Sequence, residues 1–281
     1  MGDWYRHGEQ IDSIPIDDRL AQYGDGVFET IAIRDSRPRF WESHVARLES
    51  ACDRIGLAMP ARNILRRDFD RVLARTTANT GFATAKIIVS AGGSQRGYRR
   101  PPAEYANTLI GVFAAHPLPA NYYTDGVSVF RCATPVSIQP ALAGIKSCNR
   151  LDQVVGRAEW ESDEYFDGLM CDADRNLICG TMTNMFVVRN NQIETPSLAR
   201  CGVAGIMRKR IIELLSKNKI SCTEVTLQLQ ALEDVDEVFI SNSQFGVLPV
   251  RRFDSFEWPA GEATRSVMAL LAYNDVPECG P

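Results

Sequence analysis

Short apolar runs rich in β-branched residues alternate along this chain with amphipathic segments of helical period. Residues 26–34 (GVFETIAIR), 85–91 (AKIIVSA) and 108–114 (TLIGVFA) have the length and composition of strands. Residues 42–57 and 63–77 carry their apolar side chains on one helical stripe each. Because strands and amphipathic helices must bury their apolar faces against one another, the sequence predicts an α+β fold.

The chain has 281 residues, which is long enough for two modest lobes. The best candidate for a boundary is His116-Pro117-Leu118-Pro119, where prolines coincide with a loss of periodicity. We therefore predict a smaller N-terminal α/β lobe over 1–115, an interdomain linker over 116–123 and a larger C-terminal lobe over 124–281. In the second lobe the pattern predicts strands at 127–132, 167–171, 185–188 and 237–241, and helices at 149–161, 205–217 and 263–273.

Composition and charge exclude several classes of partner. The formal net charge is −4 and the basic residues are scattered, so nothing indicates nucleic-acid binding. No stretch approaches the roughly 20 apolar residues needed to cross a membrane, and the N-terminus lacks a signal-peptide pattern, so we expect a cytoplasmic protein. The eight cysteines show no CxxC spacing and there are three histidines, so we expect reduced buried thiols and no metal site.

One of the five lysines, Lys146, lies in a nearly uncharged stretch, ALAGIKSCN, ahead of a predicted helix. Burial disfavours the ammonium form and lowers the pKa of a lysine, which produces the free amine that a covalent catalyst needs. Taken alone, this context fits a surface lysine in a loop at least as well. Lys86 interrupts an apolar strand and could face outward, and the other three lysines lie in polar surroundings.

Six motifs follow one another over nearly the whole chain: 23–30 (YGDGVFET), 44–48 (HVARL), 144–146 (GIK), 180–186 (GTMTNMF), 202–208 (GVAGIMR) and 237–243 (EVFISNS). Together they resemble the fold-type IV pyridoxal-phosphate (PLP) enzymes of the class-IV aminotransferase family, which includes branched-chain and D-amino-acid transaminases and aminodeoxychorismate lyases. The resemblance implies a two-lobed, D-amino-acid aminotransferase-like α+β fold that holds PLP in the interdomain cleft. It also implies a homodimer.

The resemblance assigns roles to individual residues. Lys146 would be the catalytic, Schiff-base lysine, and Arg47 would bind the phosphate, for which a bidentate guanidinium is suited. Without the resemblance, Arg47 is equally a solvated arginine on a helix face. A glycine-rich helix start also offers free N–H groups to an anion, so Ile206 and Met207 would bind the phosphate through their backbone. Further cofactor contacts would come from Cys179, Asn184, Val203, Gly205, Ser243 and Gln244.

Two segments resemble the lyase branch of the family: 147–154 (SCNRLDQV), after the lysine, and 96–98 (RGY), in a basic loop. They imply a PLP-dependent carbon–oxygen lyase that eliminates pyruvate from 4-amino-4-deoxychorismate and yields 4-aminobenzoate for folate biosynthesis. Arg96 and Tyr98, with Phe28 and Thr30 after the glycine turn, would contact this dicarboxylate. The loop arginines are equally explained as solvated side chains. Two alternatives remain open: a transaminase acting on D-amino or branched-chain amino acids, and a non-catalytic PLP-binding relative.

The chain departs from the family at Cys179. Family members usually carry a glutamate five residues ahead of the asparagine that matches Asn184, and that glutamate pairs with the pyridine nitrogen. A thiol supplies no permanent charge, so the cofactor ring would be a weaker electron sink. An elimination driven by aromatisation tolerates this loss better than transamination does, and Cys179 therefore weighs mildly against a transaminase.

Overall fold

The structure, a computed structural model, describes residues 3–76, 81–93, 97–100 and 106–280. The chain divides into two compact units, of which the first comprises Met1–Pro117 and Ile145–Asn149. The second comprises Leu118–Gly144 and Arg150–Pro281. Within the described residues, no helix combines the length and apolarity needed to cross a membrane.

The first unit is built on a six-stranded sheet in the order β2-β1-β6-β5-β3-β4. Its three long strands pair antiparallel along their whole length, and the two long helices supply buried apolar side chains such as Leu48 and Phe69 to one core. The elements are β1 Trp4–Arg6, β2 Glu9–Ile11, α1 Arg19–Tyr23, β3 Gly26–Arg34, β4 Arg37–Pro38, α2 Trp41–Ile55, α3 Arg62–Arg75, β5 Phe82–Ser90 and β6 Asn107–Ala114.

The second unit is built on a ten-stranded mixed sheet, with the path β12-β11-β10-β14-β15-β7-β8-β9-β13 and β16 paired to β15. Two short 3₁₀ turns, Leu229–Asp234 and Pro277–Cys279, complete it. The elements are α4 Asn121–Thr124, β7 Val127–Arg131, α5 Leu151–Arg157, β8 Tyr165–Cys171, β9 Asn176–Gly180, β10 Asn184–Arg189, β11 Gln192–Pro196, α6 Ile206–Lys217, β12 Cys222–Val225, β13 Leu227–Gln228, β14 Glu237–Asn242, β15 Gly246–Phe253, β16 Phe256–Glu257 and α7 Glu262–Asn274.

The α+β prediction is confirmed, and each strand and helix predicted from the pattern is present with ends shifted by a few residues. The largest difference is α5, predicted at 149–161 but observed at Leu151–Arg157. Beyond the end of this helix, the Glu159 carboxylate accepts hydrogen bonds from the backbone N–H groups of Ala133 and Thr134. This tertiary contact holds Glu159 outside the helix. The pattern also missed shorter elements such as β1, β2 and β9, and it missed β15, whose interior Pro249 is a residue that strands usually exclude.

Candidate active site

In the first unit, the segment that carries Lys146 pairs with the start of β3. The backbone N–H of Phe28 donates to the carbonyl of Lys146 at 2.9 Å, and the N–H of Cys148 donates to the carbonyl of Gly26 at 2.9 Å. This antiparallel pairing sets Lys146 beside Phe28 on one face of β3, with its Nζ 4.4 Å from the centroid of the Phe28 ring. The lysine is half-buried against an aromatic face rather than extended into solvent.

A second amine lies over the same ring. Lys86 on β5 pairs with Thr30 in the strand register, and its Nζ is 4.9 Å from the centroid of the Phe28 ring. Lys86 is half-buried and lies on the face of β5 opposite the core residues Ala85 and Ile87. The position of a lysine inside an apolar strand was the only sign in the sequence that Lys86 could have a role. The pairing of β3 with β5 is what places it beside Phe28, Thr30 and Lys146.

The opposite face of β3 packs against α2, and a buried cluster of charged and polar side chains lies between them. The Glu29 carboxylate accepts hydrogen bonds from Arg47 Nε at 2.7 Å and from Arg47 Nη2 at 2.5 Å, and it lies 2.6 Å from His44 Nδ1. Glu29 is 1% exposed and His44 is 0% exposed, so neither side chain has access to bulk water. Arg47 is thus held by a buried partner that the sequence pattern did not reveal.

The charges of this group follow from its burial and contacts. Burial alone would raise the pKa of the Glu29 carboxyl, but the charge of Arg47 and the hydrogen bonds from His44 and Arg47 outweigh it and lower the pKa. Burial lowers the pKa of His44, and the positive charges of Arg47 and Lys146 add to that effect against the pull of Glu29. A neutral His44 donates its Nδ1–H to Glu29, and its buried Nε2 has no hydrogen-bond partner within the described residues.

We expect His44 to make the free energy of unfolding pH-dependent in mild acid. The pKa of His44 in the folded protein lies below the ordinary value of 6.5. Between these two pKa values the unfolded chain therefore binds a proton that the folded chain does not bind. Stability should therefore fall as the pH drops from 6.5 toward the folded pKa, with a slope of at most about 1.4 kcal/mol per pH unit. Urea denaturation between pH 7 and about 5 should show this slope, and His44→Gln should remove it. An equal slope in both proteins would contradict the assignment.

In the second unit, the start of α6 forms an anion-binding turn. Gly205 is the N-cap and gives no side-chain cap, and the first turn contains no acidic residue. The backbone N–H groups of Ile206 and Met207 have no acceptor in the described part of the chain, although both residues are buried. Unpaired amides at the positive end of a helix dipole are suited to a phosphate or carboxylate.

Asn184 connects this turn to the end of β14. Its Nδ2 donates to the carbonyl of Val203 at 3.0 Å, and its Oδ1 lies 2.0 Å from where a Cβ on residue 205 would stand, so only glycine fits there. Asn184 pairs with Ser241 across β10 and β14, which directs both side chains to the same face. Ser241 is 1% exposed, and its Oγ has no partner within the described ranges. The sequence pattern did not indicate Ser241.

The turn after β14 holds Ser243 and Gln244 in place. The Asn242 side-chain Oδ1 accepts the backbone N–H groups of Gln244 at 2.9 Å and Phe245 at 3.2 Å, so this asparagine organises the turn. Ser241 pairs with Asn184 across the two strands, and Ser243 follows Ser241 by two residues. The second unit therefore brings the start of α6, Asn184 and the end of β14 together.

Gly144 belongs to the same arrangement. Its N–H donates to the carbonyl of Gly202 at 2.9 Å, and its carbonyl accepts the N–H of Ala204 at 3.0 Å. Gly144 thus pairs with Val203 as a short parallel bridge, and Lys146 follows it two residues later in the chain. Gly144 is therefore fixed against the turn that opens α6.

Cys179 lies in an apolar cluster on β9 and faces Met170 in the strand register. Burial raises the pKa of its thiol to about 12, and the nearby Asp167 contributes to the rise, so the thiol is neutral at pH 7. Asp167 accepts hydrogen bonds from the hydroxyls of Thr181 at 2.5 Å and Thr183 at 2.7 Å. This carboxylate fixes the 181–183 turn between Cys179 and Asn184.

The basic loop is described only in part. Arg96 lies outside the described residues, and Tyr98 is 86% exposed with its ring 5.5 Å from that of Tyr23. Arg100 forms an ion pair with Asp25, which also accepts a hydrogen bond from Arg19 at 2.7 Å. Asp25 therefore anchors the loop base, and the charge of Arg100 is neutralised rather than presented to a ligand.

Comparison with known proteins identifies the family. Residues 26–253 match the family described as amino-transferase class IV. Aminodeoxychorismate lyase of Vibrio harveyi is 34% identical over 266 residues, 92% of this chain and 95% of that protein. The crystal structure of 4-amino-4-deoxychorismate lyase from Pseudomonas aeruginosa superposes with a TM-score of 0.91 at 35% identity, over 96% of this chain and 98% of that one. D-Alanine aminotransferase of Listeria innocua is 23% identical over 258 residues, 89% of this chain and 86% of that protein.

The chain belongs to the class IV aminotransferase family, as the six motifs implied. The family is PLP-dependent, and its fold-type IV architecture agrees with the two-sheet α+β structure seen here.

Proposed function

We propose that this protein is a 4-amino-4-deoxychorismate lyase, a PLP-dependent carbon–oxygen lyase that releases pyruvate and forms 4-aminobenzoate for folate biosynthesis. The observation that carries the proposal is the agreement with two such lyases at 34% and 35% identity over more than nine-tenths of the chain. The D-alanine aminotransferases are more distant, at 23% identity for the Listeria innocua protein. A transaminase is therefore the second candidate.

The residues present fit a phosphorylated aldehyde cofactor. Unpaired N–H groups on Ile206 and Met207, the close approach at Gly205 and the buried Ser241 hydroxyl form a cradle suited to a phosphate. We assign the cofactor phosphate to this turn, with Ser243 and Gln244 as further ligands. Val203 would lie against the ring, and Asn184 would keep the turn in shape.

Arg47 is proposed as the charged ligand of the same phosphate. Its Nε and Nη2 donate to the two oxygens of the Glu29 carboxylate. In this arrangement Glu29 and His44 fix the orientation of the guanidinium, and Glu29 reduces the net charge that the phosphate would meet.

Lys146 is proposed as the residue that holds the cofactor covalently and then moves the protons. When bound, PLP would supply the electron withdrawal that makes the C–H beside the substrate amine acidic. The Lys146 amine would take the proton from the amine-bearing ring carbon and, as the ring carbon–oxygen bond breaks, would return a proton to the departing enolpyruvate. Loss of enolpyruvate as pyruvate leaves an aromatic ring, and this aromatisation drives the step.

The substrate side is assigned to the face of β3 that carries Lys146. Phe28 and Thr30 lie there, and the Lys86 ammonium over the Phe28 ring supplies a positive charge for one carboxylate of the dicarboxylate substrate. Arg96 and Tyr98 remain proposed substrate contacts from the basic loop.

Cys179 bears on the choice between the two candidates. Its neutral, buried thiol supplies no negative charge, whereas the family's usual glutamate would. If this residue faces the ring nitrogen, the cofactor stores a carbanion less well, which disfavours transamination more than an elimination that ends in an aromatic ring.

A direct assay distinguishes the candidates. The purified holoprotein should convert 4-amino-4-deoxychorismate to 4-aminobenzoate and pyruvate in equal amounts, detected by fluorescence and by lactate dehydrogenase coupling. D-Alanine with 2-oxoglutarate should give little or no D-glutamate. Transamination without 4-aminobenzoate formation would favour the second candidate, and PLP binding without either activity would favour a non-catalytic relative.

We also propose that the protein is a cytoplasmic homodimer. Helix α5 exposes Leu151, Val154 and Val155 at 75%, 60% and 52%, and their spacing places them on one helical face. An apolar stripe of this kind is typical of a covered surface.

Val154→Asp should therefore weaken the dimer, because it places a charge in an apolar contact. We expect light scattering coupled to size exclusion to show a shift of mass from dimer toward monomer at micromolar protein. The matched control is Ile64→Asp, which changes a 40%-exposed apolar residue on α3 and should leave the mass unchanged. An unchanged mass for Val154→Asp, or an equal shift in the control, would refute the α5 contact.

A further inference from the structure

Strand β7 is flanked by two bulges that meet at Ser128. On one side Val250 pairs with Val127 and Arg252 pairs with Ser128, so Arg251 is the extra residue in β15. On the other side Tyr165 pairs with Ser128 and Asp167 pairs with Val129, so Phe166 is the extra residue in β8. A bulge interrupts the ladder and redirects a side chain, so the sheet is irregular on both sides of one serine.

Two cavities open at this point, with volumes of about 460 Å³ and about 90 Å³. Both are lined by Ser128 and Arg251, so the two volumes share one polar corner. Trp258 and Pro259 form an apolar wall of the larger cavity, and Phe166 lines the smaller one. The combined space has the volume of a small-molecule site, and polar and charged side chains make up most of its lining beside the apolar wall.

Two polar groups at the shared corner have no side-chain partner among the described residues. Ser128 is 2% exposed, and its Oγ makes no hydrogen bond within the described residues. The Arg251 side chain is exposed, and in the part of the chain that the structure describes it forms no ion pair or hydrogen bond. Its neighbour Arg252, by contrast, is neutralised by Glu164. A guanidinium beside a buried hydroxyl is a donor set for a carboxylate.

The other charges around the cavities limit what can bind. Glu257 lines the larger cavity and Asp125 lines the smaller one, so a second negative charge on a ligand would be repelled. The same carboxylates can accept a hydrogen bond from an amino or hydroxyl group. The favoured ligand therefore carries one carboxylate at one end, a flat apolar body, and a hydrogen-bond donor at the other end.

This corner is separate from the residues assigned to the cofactor. Ser243 and Gln244 precede Gly246, the first residue of β15, whereas Arg251 lies five residues further along the same strand. At about 3.3 Å per residue, the two places are roughly 17 Å apart.

We propose that the double-bulge cavity is a second, non-catalytic site that binds a small planar monocarboxylate of the aminobenzoate type. The carboxylate lies on Arg251 with one oxygen accepting the Ser128 hydroxyl, the ring packs on Trp258, and the amine faces Glu257. The product class of the proposed reaction fits this description, so the enzyme would sense product away from its active site. The role in sensing product rests on the proposed function, whereas the binding of the monocarboxylate does not.

The test is a site-specific titration of the holoprotein with 4-aminobenzoate. The chain has four tryptophans. Incorporation of 5-fluorotryptophan gives each one a ¹⁹F resonance, and Trp258→Phe assigns the signal of interest. We expect the Trp258 resonance to shift saturably with half-saturation around 1 mM, as a single charge-assisted contact on an open site allows. Aniline, which lacks the carboxylate, should leave the resonance in place, and benzoate, which lacks the amine, should bind more weakly.

Two variants and a control decide the outcome. Arg251→Gln should weaken the titration by at least about tenfold, and Ser128→Ala should weaken it by about threefold. The control Arg200→Gln removes an exposed arginine that pairs with Asp174 and lines neither cavity, so its titration should match the wild type. A Trp258 resonance that stays fixed up to about 20 mM ligand, or a shift that survives Arg251→Gln, overturns the proposal. Failure of the lyase assay leaves this titration unaffected, because it measures added compound.

Discussion

Lys146→Ala is expected to abolish the formation of 4-aminobenzoate, with a fall in kcat of at least about 10⁴-fold. The same amine is proposed to hold the cofactor and to move both protons, so its removal ends two functions together. The variant should fold normally, since alanine retains the backbone hydrogen bonds that pair this segment with β3. The measurement is single-turnover 4-aminobenzoate fluorescence beside a urea denaturation curve.

Two further observations make the test specific to this lysine. Borohydride reduction of the wild-type holoprotein should attach the cofactor to the peptide that contains Lys146, as mass spectrometry would show. The matched control is Lys217→Ala at the end of α6, outside every residue assigned to the site, and it should keep wild-type activity. A tag on another lysine, or activity in Lys146→Ala above about 1% of the wild type, would remove the basis of the proposed mechanism.

Glu29→Ala is expected to lower the free energy of unfolding by about 3–5 kcal/mol, the usual result of removing one partner from a buried ion pair. The carboxylate is 1% exposed and accepts hydrogen bonds from both Arg47 and His44, so its loss leaves a guanidinium without its buried counterion. Urea denaturation of the cofactor-free protein measures this effect. Glu29→Gln retains the shape and should cost less than Glu29→Ala.

The same variant tests whether Glu29 orients Arg47 toward the phosphate. With saturating PLP, the gain in stability on cofactor binding should be smaller in Glu29→Ala than in the wild type, and the ³¹P resonance of the bound phosphate should move. Glu49→Ala, which breaks the exposed pair with Arg62, is the control and should change neither quantity appreciably. An unaltered ³¹P signal in Glu29→Ala would show that the buried pair serves stability alone.

Local pattern was sufficient for the longer helices, for most of the longer strands and for the family. Strands and helices such as β5 and α6 follow from apolar period and β-branched content, and the six motifs lie in order because each depends on residues close in sequence. Gly205 and the start of α6 after it could be predicted from the sequence because they too depend on neighbouring residues. Pattern was insufficient for β15, whose interior proline argues against a strand that tertiary pairing nevertheless forms.

The candidate site needed long-range pairing. Lys86 joins Lys146 over one aromatic ring only because β5 pairs with β3 in a single register, and a shift of one residue would turn it away. Glu29 became the partner of Arg47 because strand alternation sends it to the helix-covered face. The double bulge at Ser128 arises from the register of three strands that are distant in sequence.

By itself the sequence determined the fold class, the family and the lysine expected to carry the chemistry, because these depend on short-range periodicity and on motifs a few residues long. The tertiary structure decided which charges neutralise one another and which polar groups stay unpaired. Arg100 is paired with Asp25 and Arg47 with Glu29, whereas Ser128 and Ser241 keep buried hydroxyls without a partner in the described residues. Electrostatic and hydrogen-bond energies depend on distances of a few ångströms between residues far apart in the chain, and only folding sets those distances.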